Sequence, residues 1–131
     1  KNNQIPIYKV ISSEWCRCKE TALLGFKNFD TKDFLNSFFS SKFRRNKNNQ
    51  MKDLEKYIKE LNSKKNLILV THYVVISEVL DYNSLSGEII ISDKNFKKID
   101  FVKTKIVDTL GPRSFLNMAL CLLGVVLFAF S

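Results

Sequence analysis

A single imidazole serves the whole chain: among 131 residues, only His72 is a histidine. Chemistry that needs two histidines cannot come from this sequence alone. Arginine is scarce as well, with Arg17, Arg44, Arg45 and Arg113 set against 17 lysines in a formal net charge of +8. Nucleic-acid surfaces favour the planar arginine fork and interleaved aromatics. A lysine- and asparagine-rich excess lacks that footprint, so no nucleic-acid partner is expected. The cysteines are Cys16, Cys18 and Cys121, an odd number with two of them two residues apart. That is a poor disulfide framework and points to a reducing, cytoplasmic compartment. A zinc site from Cys16, Cys18 and His72 would lack a fourth ligand. No metal and no cofactor is expected. No secretory signal is visible at the amino end. The chain opens on Lys1 and not on methionine, so we expect a processed form or a portion of a longer protein.

What is present reads as one α/β unit. Tyr8 to Ile11 forms a short strand, and Ser12 or Ser13 is a natural cap for the helix that follows. Trp15, Cys18, Ala22 and Phe26 recur at helical spacing, with Gly25 placed to end the helix. Phe29 to Phe43 is an aromatic-rich connection, and Arg44 to Gln50 a polar loop. Met51, Leu54, Ile58 and Leu61 mark an amphipathic helix. Leu67 to Thr71 is an apolar run suited to a strand covered on both faces. Val74 to Leu80 is helical. Glu88 to Ser92 and Phe96 to Val102 make a hairpin around Asp93-Lys94-Asn95. This order predicts a mostly parallel central sheet.

From Ser114 to Ser131 the character changes, and no charged residue occurs. As a helix this segment would reach about 27 Å at about 1.5 Å per residue, just enough to cross a bilayer. It is a candidate membrane anchor, flanked by Lys103, Lys105 and Arg113, or a helix packed on the sheet. We therefore divide the chain into a domain over 1–103, a linker over 104–113 and a hydrophobic helix over 114–131.

Chemistry concentrates at two strand ends. Ligands of open α/β sheets collect where strands run out into helix N-termini, whose free amides and partial positive charge suit phosphate. One strand ends at Ser12-Ser13, followed by Arg17 in the first helical turn, and the other ends at Thr71-His72. A first-turn side chain points back toward the terminus, so Arg17 can fork onto an anion there. Each residue also has a plain reading: a hydrogen-bonded structural histidine, a surface arginine, a core Trp15.

Ser12-Ser13-Glu14-Trp15-Cys16-Arg17-Cys18-Lys19-Glu20-Thr21-Ala22 resembles the S-S-x-x-x-R-x-x-E-T-A motif of the histidine phosphatase superfamily, the phosphoglycerate-mutase-like proteins. Leu69-Val70-Thr71-His72 resembles that family's second catalytic histidine segment, and Ser86-Gly87-Glu88 its last loop and strand. The likeness runs from about Ile5 to Val102. It implies a three-layer α/β/α sandwich and hydrolysis of phosphomonoesters or phosphohistidine through a phosphohistidine intermediate. Arg17 and Ser13 would bind the phosphoryl group, and His72 would stabilise its charge. Glu88 would be a proton donor, or else a strand-edge carboxylate. The resemblance places the family's nucleophilic R-H-G histidine, with a strand of the central sheet, upstream of Lys1. On this reading the chain is N-terminally incomplete and does not turn over by itself. The partner would be a phosphorylated small molecule or a phosphohistidine protein. A phosphate-binding remnant without chemistry and a membrane-attached accessory protein are the alternatives.

Overall fold

A computed structural model describes residues 6–85, 87–103 and 123–128. In chain order these form β1 (Ile7–Ser12), α1 (Cys16–Phe26), β2 (Asp30–Thr31), α2 (Lys47–Glu60), β3 (Asn66–His72), α3 (Tyr73–Leu80), β4 (Glu88–Ser92), β5 (Lys98–Lys103) and β6 (Leu123–Phe128), with 3-10 turns at Asp33–Leu35 and Arg44–Asn46. The strands make one mixed sheet in the order β2-β1-β3-β6-β4-β5. β1 pairs parallel with β2 and β3, and β4 pairs parallel with β6. The β3–β6 and β4–β5 pairings are antiparallel. The sheet is thus less parallel than the element order implied.

Helices cover both faces. On β3, Ile68 and Val70 pack with Val10 of β1 against Cys18 and Ala22 of α1. Leu67 and Leu69 point to the other face, where Ile11 and Ile90 join Leu54 and Ile58 of α2 and Val75, Ile76 and Leu80 of α3. Period-two alternation along β1 and β3 therefore feeds two cores from single strands. Each fully buried aliphatic side chain contributes roughly 1.5–3 kcal/mol.

Several local expectations change. α1 starts after Trp15, whose backbone is extended, and no serine side chain caps it. Gly25 lies inside the last turn, and the positive-φ residue that ends the helix is Lys27, with φ 66° and ψ −58°. The polar stretch before Met51 is the first turn of α2, not a loop. Gln50, Leu54 and Ile58 form its buried face, and Gln50 Nε2 donates to the carbonyls of Asp33 (3.3 Å) and Asn36 (2.8 Å). A buried glutamine takes the place of an apolar signal there, which is why hydropathy starts the helix too late.

The largest correction concerns the hydrophobic end of the chain. Residues 123–128 are not helical: they form β6, bonded along both edges between β3 and β4. Such a run, apolar throughout, suits a strand buried in mid-sheet as well as it suits a helix, and pairing decided between them. No helix among the described residues is long and apolar enough to cross a membrane. The linker over 104–113, the remainder of the expected 114–131 helix, and Ser86 lie outside the described residues.

Candidate functional site

The carboxyl ends of β1 and β3 lie side by side, because Ile11 pairs with Leu69 and Ser12 with Val70. The chain then leaves each strand into α1 and α3. Ser13 N–H still donates to Val70 O (2.9 Å), which pins the turn below α1 to the end of β3. Four side chains converge on this corner. Ser13 Oγ lies 3.2 Å from His72 Nε2, and Cys18 Sγ lies 3.5 Å from the same nitrogen. The Trp15 ring stands edge-on to the imidazole at 5.0 Å between centroids. Residues separated by 59 positions in sequence thus share one hydrogen-bonding cluster.

Asn36, not singled out from sequence, organises the cluster. Its Nδ2 donates to Glu14 Oε2 (2.8 Å), which settles the amide orientation. Its Oδ1 accepts from Glu14 N–H (2.9 Å) and from the Ser13 hydroxyl (2.8 Å). With the hydroxyl hydrogen committed to Asn36, Ser13 Oγ is an acceptor toward His72, so the imidazole hydrogen resides on Nε2. An isolated asparagine in an aromatic-rich loop carries no sequence signal for this role. Thr71, the neighbour of His72, holds the loop from beneath through Thr71 Oγ1 to Leu35 O (2.7 Å).

The site is electrostatically poised and closed. His72 is 4% exposed, and Ser13 and Cys18 are 0% exposed. Burial first, and the Arg17 charge second, push the His72 pKa down from 6.5 to about 4. At neutral pH the imidazole is therefore uncharged, and Arg17, on the exposed side of α1, supplies the local positive charge. Cys16 is exposed and Cys18 buried.

Glu88 belongs to a different environment. Val125 pairs with both Val70 and Ile89, so Glu88 stands level with Thr71 at the same end of the sheet, two strands from β3. Two strand spacings are about 9–10 Å. Ile90 lies in the α2–α3 core, so Glu88 shares that face, whereas His72 shares the α1 face with Ile68 and Val70. The Glu88 carboxylate is 1% exposed and accepts from Tyr82 Oη (3.1 and 3.2 Å) and Leu85 N–H (2.9 Å). Burial and this carboxylate together raise the Tyr82 pKa.

Two cavities stand out. One of about 420 Å³ lies beside the amino end of β1, where the only lining charges, Lys9 and Asp30, already pair at 3.2 Å. The other, of about 370 Å³, includes Trp15 and Asn36 in its wall and so adjoins the His72 cluster. Among the described residues no group of three or more His, Cys, Asp or Glu side chains is arranged to hold a metal ion. Comparison with protein-family models, with curated proteins and with solved structures finds no match for this chain.

Proposed function

We propose that the corner formed by Ser13, Arg17 and His72 is a phosphate site of the histidine phosphatase type, within a phosphoglycerate-mutase-like sandwich. The observation that carries this reading is the convergence of the two motif segments on one point, with His72 Nε2 beside Ser13 Oγ and within the field of Arg17. Helices on both sheet faces also suit it. The substrate would be a phosphomonoester or a phosphohistidine side chain.

The chemistry divides among the residues as follows. The α1 amides and the Arg17 guanidinium bind the phosphoryl oxygens, the fork giving two parallel charge-assisted bonds. Ser13 exchanges its bond to His72 for one to the ligand. Neutral His72, holding its hydrogen on Nε2, donates it toward the oxygen on which charge develops. An attacking group is still required for the covalent step. The single histidine of this sequence cannot both attack and stabilise, so these 131 residues bind phosphate without hydrolysing it. The same count favours the second reading, a phosphate-binding module with no chemistry of its own. Glu88 has no assigned step while Tyr82 and Leu85 hold it. The odd number of cysteines, two of them two residues apart, favours a reducing, cytoplasmic location.

Calorimetric titration with inorganic phosphate at pH 7 tests the site. Binding that weakens at least about tenfold in Arg17→Ala and in His72→Ala is expected, on the scale of a lost charge-assisted bond. No p-nitrophenyl phosphate hydrolysis is expected. An absence of phosphate binding overturns the site, and hydrolysis lost in His72→Ala overturns the division of roles.

A further inference from the structure

The cavity of about 370 Å³ beside the His72 cluster has a lining at odds with the rest of this chain. The protein carries a formal +8, yet no lysine or arginine lines the cavity, and Asp33 and Asp53 do. A leaving group bearing a carboxylate or a second phosphate meets repulsion there. The aromatic walls are Trp15 and Phe43, edge to face at 5.8 Å between centroids. Trp15 touches His72 with the same ring, so the cavity and the phosphate corner share a wall. The volume falls within the roughly 300–1,000 Å³ usual for small-molecule sites.

The polar groups are amides. Gln50 spends its Nε2 hydrogens on the carbonyls of Asp33 and Asn36. Its plane is therefore fixed, and its Oε1 is left as an oriented acceptor. Asn46 and Asn49, also in the wall, make no side-chain hydrogen bond among the described residues. Amide side chains match the paired donor and acceptor edges of nucleobases, and aromatic rings give a stacking surface. Gln50 Oε1 and the two carboxylates bias the cavity toward ligand edges rich in N–H donors.

We propose that this cavity is the leaving-group pocket of the phosphate site and receives an amino-bearing nucleobase, making a nucleoside monophosphate the preferred ligand. The proposal rests on the phosphate reading above and extends it to a substrate class. The phosphate sits at Arg17 and His72, the base lies against Trp15 and Phe43, and its exocyclic amine faces Gln50 and Asp53. Phosphoglycerate, with an anionic tail, is disfavoured by the same carboxylates.

The test is calorimetric titration of the full chain with AMP, IMP, glycerol 3-phosphate, 3-phosphoglycerate and inorganic phosphate. AMP is expected to bind at least about tenfold tighter than glycerol 3-phosphate, 3-phosphoglycerate and inorganic phosphate, the scale of one stacked base, and tighter than IMP, which stacks alike but lacks the exocyclic amine. Phe43→Ala should remove most of that preference and leave inorganic phosphate affinity unchanged. Asp53→Lys, at an exposed helical position that does not threaten folding, should weaken AMP and tighten 3-phosphoglycerate. AMP binding no better than glycerol 3-phosphate, with both dependent on Arg17, overturns the pocket and leaves the phosphate site standing. IMP equal to AMP overturns the amino-edge assignment. Loss of all phosphate binding overturns the site beneath it.

Discussion

β2, β1 and β3 run parallel and are linked through helices, whereas β6, β4 and β5 join a hairpin to a strand drawn from twenty residues further on. The first half holds the His72 corner, because parallel strands deliver their carboxyl ends and the following helix N-termini to one edge. The second half reverses direction at β3–β6. There the same edge receives the start of β4, with Glu88 turned to the other face. One edge of one sheet thus carries two polar centres of different kinds. His72 sits beside hydroxyl, thiol and indole groups under an arginine's field, and Glu88 is locked by Tyr82 and a backbone amide. The first has exchangeable partners a ligand could replace; the second is a carboxylate whose bonds fold its own loop.

The sharpest way to break the comparison is to cut the halves apart. β6 is bonded on both edges, so proline at Val125 removes a mid-sheet donor and opposes pairing with both Val70 and Ile89. We expect loss of cooperative folding, seen as a featureless near-ultraviolet dichroism spectrum. Proline at Ile99, on edge strand β5, should leave the β1–β3 half folded. Equal damage from both would show that the halves are not distinct in stability.

Acid should act next, and through the first half. The folded state holds His72 with a pKa of about 4 against 6.5 in the open chain. A lowered histidine pKa costs nothing above pH 6.5, where both states are neutral. As pH falls from 6.5 to 4 the unfolded chain takes up the proton first, and stability is lost across that window. The shift corresponds to about 3 kcal/mol at most. Urea unfolding at pH 7 and pH 4 should show this extra loss in the parent and not in His72→Gln. Arg17→Ala should reduce it slightly, since its charge is the second cause. Identical acid slopes for parent and His72→Gln would remove the buried neutral imidazole.

How much of this was legible differs between the halves for physical reasons. β1, α1, β3 and α3 could be read because strand alternation, helical periodicity and motif spacing agreed, and Arg17, Ser13 and His72 followed from strand ends. Asn36 could not, since its role depends on a fold that brings the Asp33–Leu35 turn onto Ser13. Gln50 hid the first turn of α2 by being polar and buried at once. β6 was read as helix because an apolar run is silent about its period, and the pairing partners that settle it lie more than thirty residues away. For Glu88, the turn-then-strand pattern set it at the start of β4, but its edge and face depend on strand direction, which the β3–β6 reversal sets.

A smaller effect separates the two polar centres. Glu88→Gln keeps the shape while weakening bonds made to a charged acceptor, so a loss of roughly 1.5–3 kcal/mol is expected. Phosphate affinity should stay unchanged, because Glu88 faces away from His72. A parallel loss of phosphate binding with the fold intact, measured at protein concentrations that keep both forms native, would join the two centres and restore a direct role for Glu88.

The smallest expected effect is a gain. Gly25 lies inside α1, exposed, with a helical backbone, and a Cβ built there meets nothing within 4 Å. Glycine in a helix interior costs about 0.5–1 kcal/mol relative to alanine through the extra freedom of the unfolded chain. Gly25→Ala should therefore stabilise the protein by that amount, read as a rise in Tm. The substitution adds no contact and touches no site residue, so affinity for phosphate should not move. The helix ends two residues later at Lys27, whose positive φ of 66° already turns the chain out of the helix. The gain holds only if that turn, and not the glycine, terminates α1. A drop in Tm would show that Gly25 itself supplies the stop, and would shorten the helix that presents Arg17 to the site.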